Sequence, residues 1–98
     1  MKTIINADDF GKTQSINSAI CECFANGYIT STTLMVNMPF ADEAVKLAKE
    51  NGFWEKVGLH LNLTEGIPMN KKLASFELFC DQDGKFKGTY QSSLLPRF

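Results

Sequence analysis

Apolar positions along this chain switch between two periods. Lys2 to Ala7 holds a short apolar run that stops at two aspartates, the pattern of a buried strand. From Ser15 onward Ile16, Ala19, Ile20, Cys23 and Phe24 fall at i, i+3, i+4, i+7 and i+8, one face of a helix that Asn26-Gly27 ends. Ser31 to Asn37 is rich in β-branched and apolar residues and predicts a second strand, which Pro39 bars from continuing. Ala41, Ala44, Val45 and Ala48 return to the helical period, with Asp42 and Glu43 in the first turn, where they oppose the helix dipole, and Asn51-Gly52 at its end. Val57 to Leu63 then alternates Val57, Leu59, Leu61 and Leu63 against Gly58, His60 and Asn62. That is a strand with two faces, and His60 is on the more polar one.

Strands separated by helices of about a dozen residues require parallel pairing, with right-handed crossovers. Two helices cannot cover both faces of such a sheet, and its edges would stand unpaired. Residues 1–63 therefore read as the opening units of a larger α/β fold with parallel strands. Beyond Thr64 the chain changes character. Phe76 to Lys87 places two short apolar stretches around Asp81-Gln82-Asp83-Gly84, which predicts a β-hairpin with an Asp-Gly turn. Leu94-Leu95-Pro96-Arg97-Phe98 predicts no element, and no flexible linker interrupts the chain. Residues 1–98 are thus expected to form one partial domain, with 64–98 as a loop and hairpin.

Composition narrows the class. A chain of 98 residues allows one small domain, and one this short buries only about 60–68% of the surface it exposes when unfolded. At 44% hydrophobic and 21% charged it is not a disordered sequence. Ten basic and eleven acidic residues without a basic block argue against nucleic-acid or polybasic membrane binding. No apolar run reaches the roughly 18–20 residues that cross a bilayer, and the N-terminus breaks at Asp8 before forming a secretion signal. Cys21 and Cys23 sit two apart in a helical pattern and point in different directions, which suits neither a disulfide nor a zinc site. Reduced thiols and a cytoplasmic location are the expectation.

Parallel β/α folds bind ligands at the carboxyl ends of their strands. Asp8 and Asp9 follow the first strand, Asn37 closes the second, and His60 lies toward the end of the third. If the second strand lies between the other two, these are about 10 Å apart, close enough for a carboxylate and an imidazole to share an ion. In extended backbone consecutive carboxylates point apart, so one can hold a cation while the other faces a water or substrate. Phe10-Gly11 offers a tight turn where backbone can approach a ligand. Asn62 shares the His60 face and could orient a substrate hydroxyl. Each feature also has a plainer explanation. An Asp pair fits a solvated loop and helix cap, a lone strand histidine is commonly a hydrogen-bonded structural residue, and Asn62 could satisfy strand-end backbone. Asp81 to Gly84 lacks the further acidic ligands of a calcium loop and reads as a turn. Phe53 and Trp54, after a helix end, read as packing residues.

Ile5-Asn6-Ala7-Asp8-Asp9-Phe10-Gly11 resembles the N-terminal signature of the YdjC-like carbohydrate deacetylases, the chitooligosaccharide deacetylase type. Gly27-Tyr28-Ile29-Thr30-Ser31-Thr32-Thr33-Leu34-Met35-Val36-Asn37-Met38-Pro39 resembles that family's second-strand segment. Val57-Gly58-Leu59-His60-Leu61-Asn62-Leu63-Thr64, followed by Gly66-Ile67-Pro68, resembles its histidine strand. The resemblance implies a TIM-like (β/α) barrel and removal of the acetyl group from N-acetylated sugars or chitooligosaccharides. It implies one divalent ion, magnesium or zinc, with Asp9 and His60 as ligands and Asp8 as general base. Asn62, Asn37 and Phe10 are the accompanying candidate substrate contacts, and a small carbohydrate is the implied partner. Members of the family run to about 250 residues and draw a further ligand from a later segment. This sequence has one histidine and matches only the family's N-terminal part, so it reads as a truncated segment. The competing expectation is a non-catalytic module with an incomplete metal site. Such a module would bind sugar or pair into a homodimer through its sheet edges.

Overall fold

The computed structural model of the protein describes residues 2–88. These divide into two compact units, the first reaching Leu61 and the second beginning at Asn62. The first unit holds three strands, β1 (Asn6–Phe10), β2 (Ser31–Leu34) and β3 (Val57–Leu59), paired parallel in that order. Helix α1 (Gln14–Ala25) joins β1 to β2, and α2 (Ala41–Glu50) with a 3-10 turn at Trp54–Lys56 joins β2 to β3. The parallel α/β reading of the sequence is what the structure has. A closed barrel is a larger object than these residues, and three strands make one open sheet.

Strand limits differ from the sequence pattern, for a reason visible in the pairing. The first strand starts at Asn6, where its register with Ser31 begins, and runs through both aspartates to Phe10. The apolar Ile4 and Ile5 that suggested an earlier start are exposed. β2 stops at Leu34 rather than Asn37. The Met35 amide still bonds Phe10 O (2.8 Å), but the Met38 amide then bonds Met35 O (3.1 Å) and turns the chain. β3 ends at Leu59, the partner of Leu34, because β2 has no further residue to offer. The His60 amide makes the last rung, to Leu34 O at 2.9 Å.

The core forms on one face of this sheet. Phe10, Ile20, Leu34, Ala41, Ala44, Ala48 and Phe53 make a single buried cluster, so α1 and α2 cover the same side. Alanines at 44 and 48, both fully buried, let α2 lie close to the strands. Phe53 fills the gap between layers, stacking on Phe24 at 4.1 Å and meeting Phe10 at 5.8 Å. Trp54 does not join it. Its ring is partly exposed, with Lys49 Nζ 5.4 Å from the centroid.

Asn17 is the polar tie within this core. Fully buried on α1, it accepts from the Gly11 amide at 2.7 Å and donates to Phe40 O at 3.1 Å. The Phe40 amide in turn bonds Gly11 O at 3.0 Å, so the segments following β1 and preceding α2 are stitched together. Gly11 has φ +97°, and a Cβ there would stand 3.1 Å from Ala41 Cα. Thr13 caps α1 by accepting from the Ile16 amide.

In the second unit the expected hairpin is reduced to one antiparallel bridge, Cys80 with Phe86. The Asp81 carboxylate explains the tight reversal, since it accepts from the amides of Asp83 (2.9 Å) and Lys85 (3.1 Å). A short helix α3 (Lys71–Ala74), absent from the sequence reading, starts where Asn70 caps the Lys72 amide. The Leu94 to Phe98 segment lies outside the described residues. All three cysteines are free, and no described helix is long and apolar enough to cross a membrane.

Asn17→Ala would strand the buried Gly11 amide and the Phe40 carbonyl. It should lower the unfolding free energy by about 2–3 kcal/mol, read from urea denaturation, and a change near zero would contradict this tie. Burial raises the thiol pKa of Cys80, with Asp81 adding and Lys87 opposing, and burial followed by Glu43 raises that of Cys21. Less thiolate is therefore present at neutral pH in the folded protein. Iodoacetamide should label both more slowly than in denaturant, with mass spectrometry of the peptides as the check.

Candidate functional site

The register of β1 decides where its carboxylates point. Ala7 pairs with Thr32 but Phe10 pairs with Leu34, so β1 carries one extra residue, a β-bulge at the Asp pair. In a regular strand Asp9 would share the helix-facing side with Ala7, and Phe10 would face away. The bulge resets the phase. Ala7 and Phe10 both pack with the core, while the Asp9 side chain stays 40% exposed. Asp9 takes φ +70° to make this turn. For a non-glycine residue that conformation costs about 1–2 kcal/mol, least for Asp and Asn.

His60 follows β3 directly and is anchored by its backbone bond to Leu34. Its Nδ1 accepts from the Asp9 amide at 3.3 Å and lies 3.7 Å from Asp9 Oδ1. A neutral ring accepting at Nδ1 carries its proton on Nε2. The outer strands, separated by β2, thus bring an oxygen and a nitrogen within 3.7 Å of each other toward their carboxyl ends. Asp8, the exposed residue before Asp9, accepts at Oδ1 from Asn6 Nδ2 (3.1 Å) and Thr33 Oγ1 (3.4 Å). Asn6, Asp8, Ser31 and Thr33 occupy the sheet face opposite the helices.

The other sequence candidates fall elsewhere. The Phe10 ring is fully buried against Phe53, so only its backbone could approach a ligand. Asn37 is half-buried in the turn after β2, three residues past the strand end it was expected to close. Asn62 belongs to the second unit, and its amide organises a local turn rather than presenting free polar atoms. Oδ1 accepts from the amides of Thr64 (3.1 Å) and Glu65 (3.0 Å), and Nδ2 donates to Glu65 O (2.8 Å). A cavity of about 570 Å³ in the second unit, bordered by Glu77, Cys80, Asp81 and Lys87, contains none of the candidates.

Asn6, Thr33 and Asn17 are structural partners that the sequence reading passed over. Only Ser31 and Thr33, hydroxyls alternating with Thr32 and Leu34, gave a periodic hint of a polar sheet face.

Donors sharing one ion through bonds of about 2.0–2.2 Å stand roughly 3–3.5 Å apart. The 3.7 Å separation of Asp9 Oδ1 and His60 Nδ1 is a small side-chain movement from that. A carboxylate oxygen with an imidazole nitrogen suits a divalent cation. The pair offers donors for two positions of such a site once the Asp9 amide releases Nδ1, and no group of three His, Cys, Asp or Glu side chains able to hold a metal occurs among the described residues.

Residues 2–97 match the family described as YdjC-like protein. A carbohydrate deacetylase from Clostridium beijerinckii is 49% identical over 86 residues, covering 88% of this chain and 34% of the relative. Another from Listeria monocytogenes is 44% identical over 92 residues, covering 94% and 36%. Among solved structures, that of a proposed cellobiose-phosphate cleavage protein from Enterococcus faecalis is similar at TM-score 0.71 and 32% identity. The match covers 93% of this chain and 34% of that one. The chain spans about a third of the length of the curated relatives it matches. By the extent of the match and the relatives it brings together, the chain belongs to the YdjC-like family.

Proposed function

We propose that the protein removes the acetyl group from N-acetylated sugars, chitooligosaccharides among them, with a divalent metal ion held in part by Asp9 and His60. The observation that carries this reading is the meeting of Asp9 Oδ1 and His60 Nδ1, 3.7 Å apart, with the exposed Asp8 next in the sequence. Relatives named carbohydrate deacetylases support the reaction class.

A divalent ion, magnesium or zinc, held in part by Asp9 and His60 would supply Lewis-acid polarisation and lower the pKa of water. Asp8 takes a proton from the attacking water and returns it to the sugar nitrogen as the acetamide C–N bond breaks, giving acetic acid and a free amine. Asp9 contributes negative charge and His60 a neutral nitrogen lone pair. That division leaves Asp8 outside the ligand set and able to act as a base. The Asp9 backbone amide, bonded to His60 Nδ1, keeps the ring beside the Asp9 carboxylate and would give up that nitrogen to an ion. Asn37, in the turn after β2, remains the candidate for a polar contact to the sugar.

A second reading has one observation of its own. Leu59 and Leu61, on and beyond the edge strand β3, are 67% and 74% exposed. A homodimer that covers this edge and binds chitooligosaccharide without hydrolysing it would account for them.

The protein expressed from its natural coding sequence should release acetate from N-acetylglucosamine oligomers and lose this activity with a chelator. His60→Ala should reduce it at least about 100-fold. Asp8→Asn should lower kcat by about 100- to 10,000-fold while leaving metal affinity within about threefold. Acetate release indifferent to chelator and to His60→Ala would contradict the proposal. A dimer by light scattering that binds the oligomers and releases no acetate would favour the second reading.

A further inference from the structure

The sheet face opposite the helices carries, connected to Asp8, polar side chains that the proposed chemistry leaves unused. Ser31 Oγ lies 2.8 Å from Asn6 Oδ1, Asn6 Nδ2 lies 3.1 Å from Asp8 Oδ1, and Thr33 Oγ1 lies 3.4 Å from the same oxygen. The orientation of the Asn6 amide follows from its neighbours. Turned over, it would set its oxygen against the Asp8 carboxylate, acceptor on acceptor, so the NH2 must face Asp8. Ser31 then has to donate to Asn6 Oδ1, which fixes the amide from the other side.

Thr33 is directed in a similar way. A Cβ built on Gly58 would stand 3.5 Å from Thr33 Cγ2, so the Thr33 methyl lies toward β3 while its hydroxyl lies toward Asp8 on β1. Two donors, one from Asp8's own strand and one from the neighbouring strand, therefore converge on Oδ1. Among the described residues no hydrogen bond engages Oδ2.

We infer that Asn6 and Thr33 are positioning residues for Asp8, with Ser31 holding Asn6 in place. They fix the carboxylate plane by its Oδ1 and leave Oδ2 as the oxygen that receives the proton. This rests on the reading of Asp8 as the general base. A base held in one orientation keeps its lone pair aimed at the reacting water, and a misplacement of about 1 Å can cost about 100-fold in rate. Because the network touches neither Asp9 Oδ1 nor His60, it acts on proton transfer and not on metal binding.

Kinetics of acetate release from N-acetylglucosamine oligomers, measured on the full-length protein, test this. Asn6→Ala and Thr33→Val should each lower kcat about tenfold, with KM and the Zn2+ dissociation constant from calorimetry changed less than about twofold. Thr33→Ser, which keeps the hydroxyl, should recover most of the lost rate. In an Asp8→Asn background the Asn6→Ala change should cost less than about twofold, since the group it orients is gone. Unchanged kcat in the single variants, or an equal loss with and without Asp8, would overturn the inference. An inactive wild-type protein, or one indifferent to Asp8→Asn, would instead defeat the deacetylase reading. Crystal structures of Asn6→Ala and Thr33→Val decide the positioning claim without turnover. The Asp8 carboxylate should leave its present orientation, and an unmoved carboxylate would overturn the inference.

Discussion

The extra residue in β1 is the constraint on which the rest of this unit depends. A parallel strand covered by helices on one side must send alternate residues into the core. The sequence Ala7-Asp8-Asp9-Phe10 cannot meet that demand in regular register, because Ala7 and Phe10 are separated by two aspartates. Without a bulge either a carboxylate enters the core or a phenylalanine leaves it, and each is worth several kcal/mol against the fold. With it, Phe10 is fully buried opposite Leu34 and both carboxylates remain accessible. The left-handed backbone at Asp9 is a small cost beside that gain, and Asp is among the residues that tolerate it best.

The same local distortion links packing to chemistry. By turning at Asp9 the backbone directs its amide at the His60 ring, and the carboxylate follows to within 3.7 Å. His60 can meet it because the β3 ladder runs out there, after a final bond to Leu34. Behind this point the buried Asn17 fastens Gly11 and Phe40, so the segment leaving the bulge is not free to relax. Small residues on α2 and the Phe53–Phe24 stack then hold the layer beneath it. Core and candidate site are two faces of one strand, set by one phase change.

Much of this was legible in the residues. Helix periods at Ile16 to Phe24 and at Ala41 to Ala48, with Asn-Gly stops, gave both helices within about two residues. Parallel pairing followed from the connections, and the Asp pair and His60 stood at strand ends as β/α folds require. Period-two alternation could not reveal the bulge, since a bulge is a failure of that alternation. The reading ended β1 at Ala7 because the apolar run stops there, whereas the strand continues through both aspartates to Phe10. The exposed Leu61 shows the converse problem, an alternating pattern continuing where no neighbouring strand remains to pair with it among the described residues. Asn62 read as a face-sharing partner of His60, yet its side chain closes a turn of its own. Asx-type bonding depends on loop geometry that a strand pattern does not encode.

The most direct measurement is a crystal structure of the full-length protein soaked with Zn2+ or Mn2+, with anomalous diffraction locating the ion. The account predicts one peak bonded to both the Asp9 carboxylate and the His60 imidazole, with Asp9 at positive φ and Phe10 in the core. An ion bound elsewhere, or a β1 in regular register with Asp9 turned toward the helices, would contradict it.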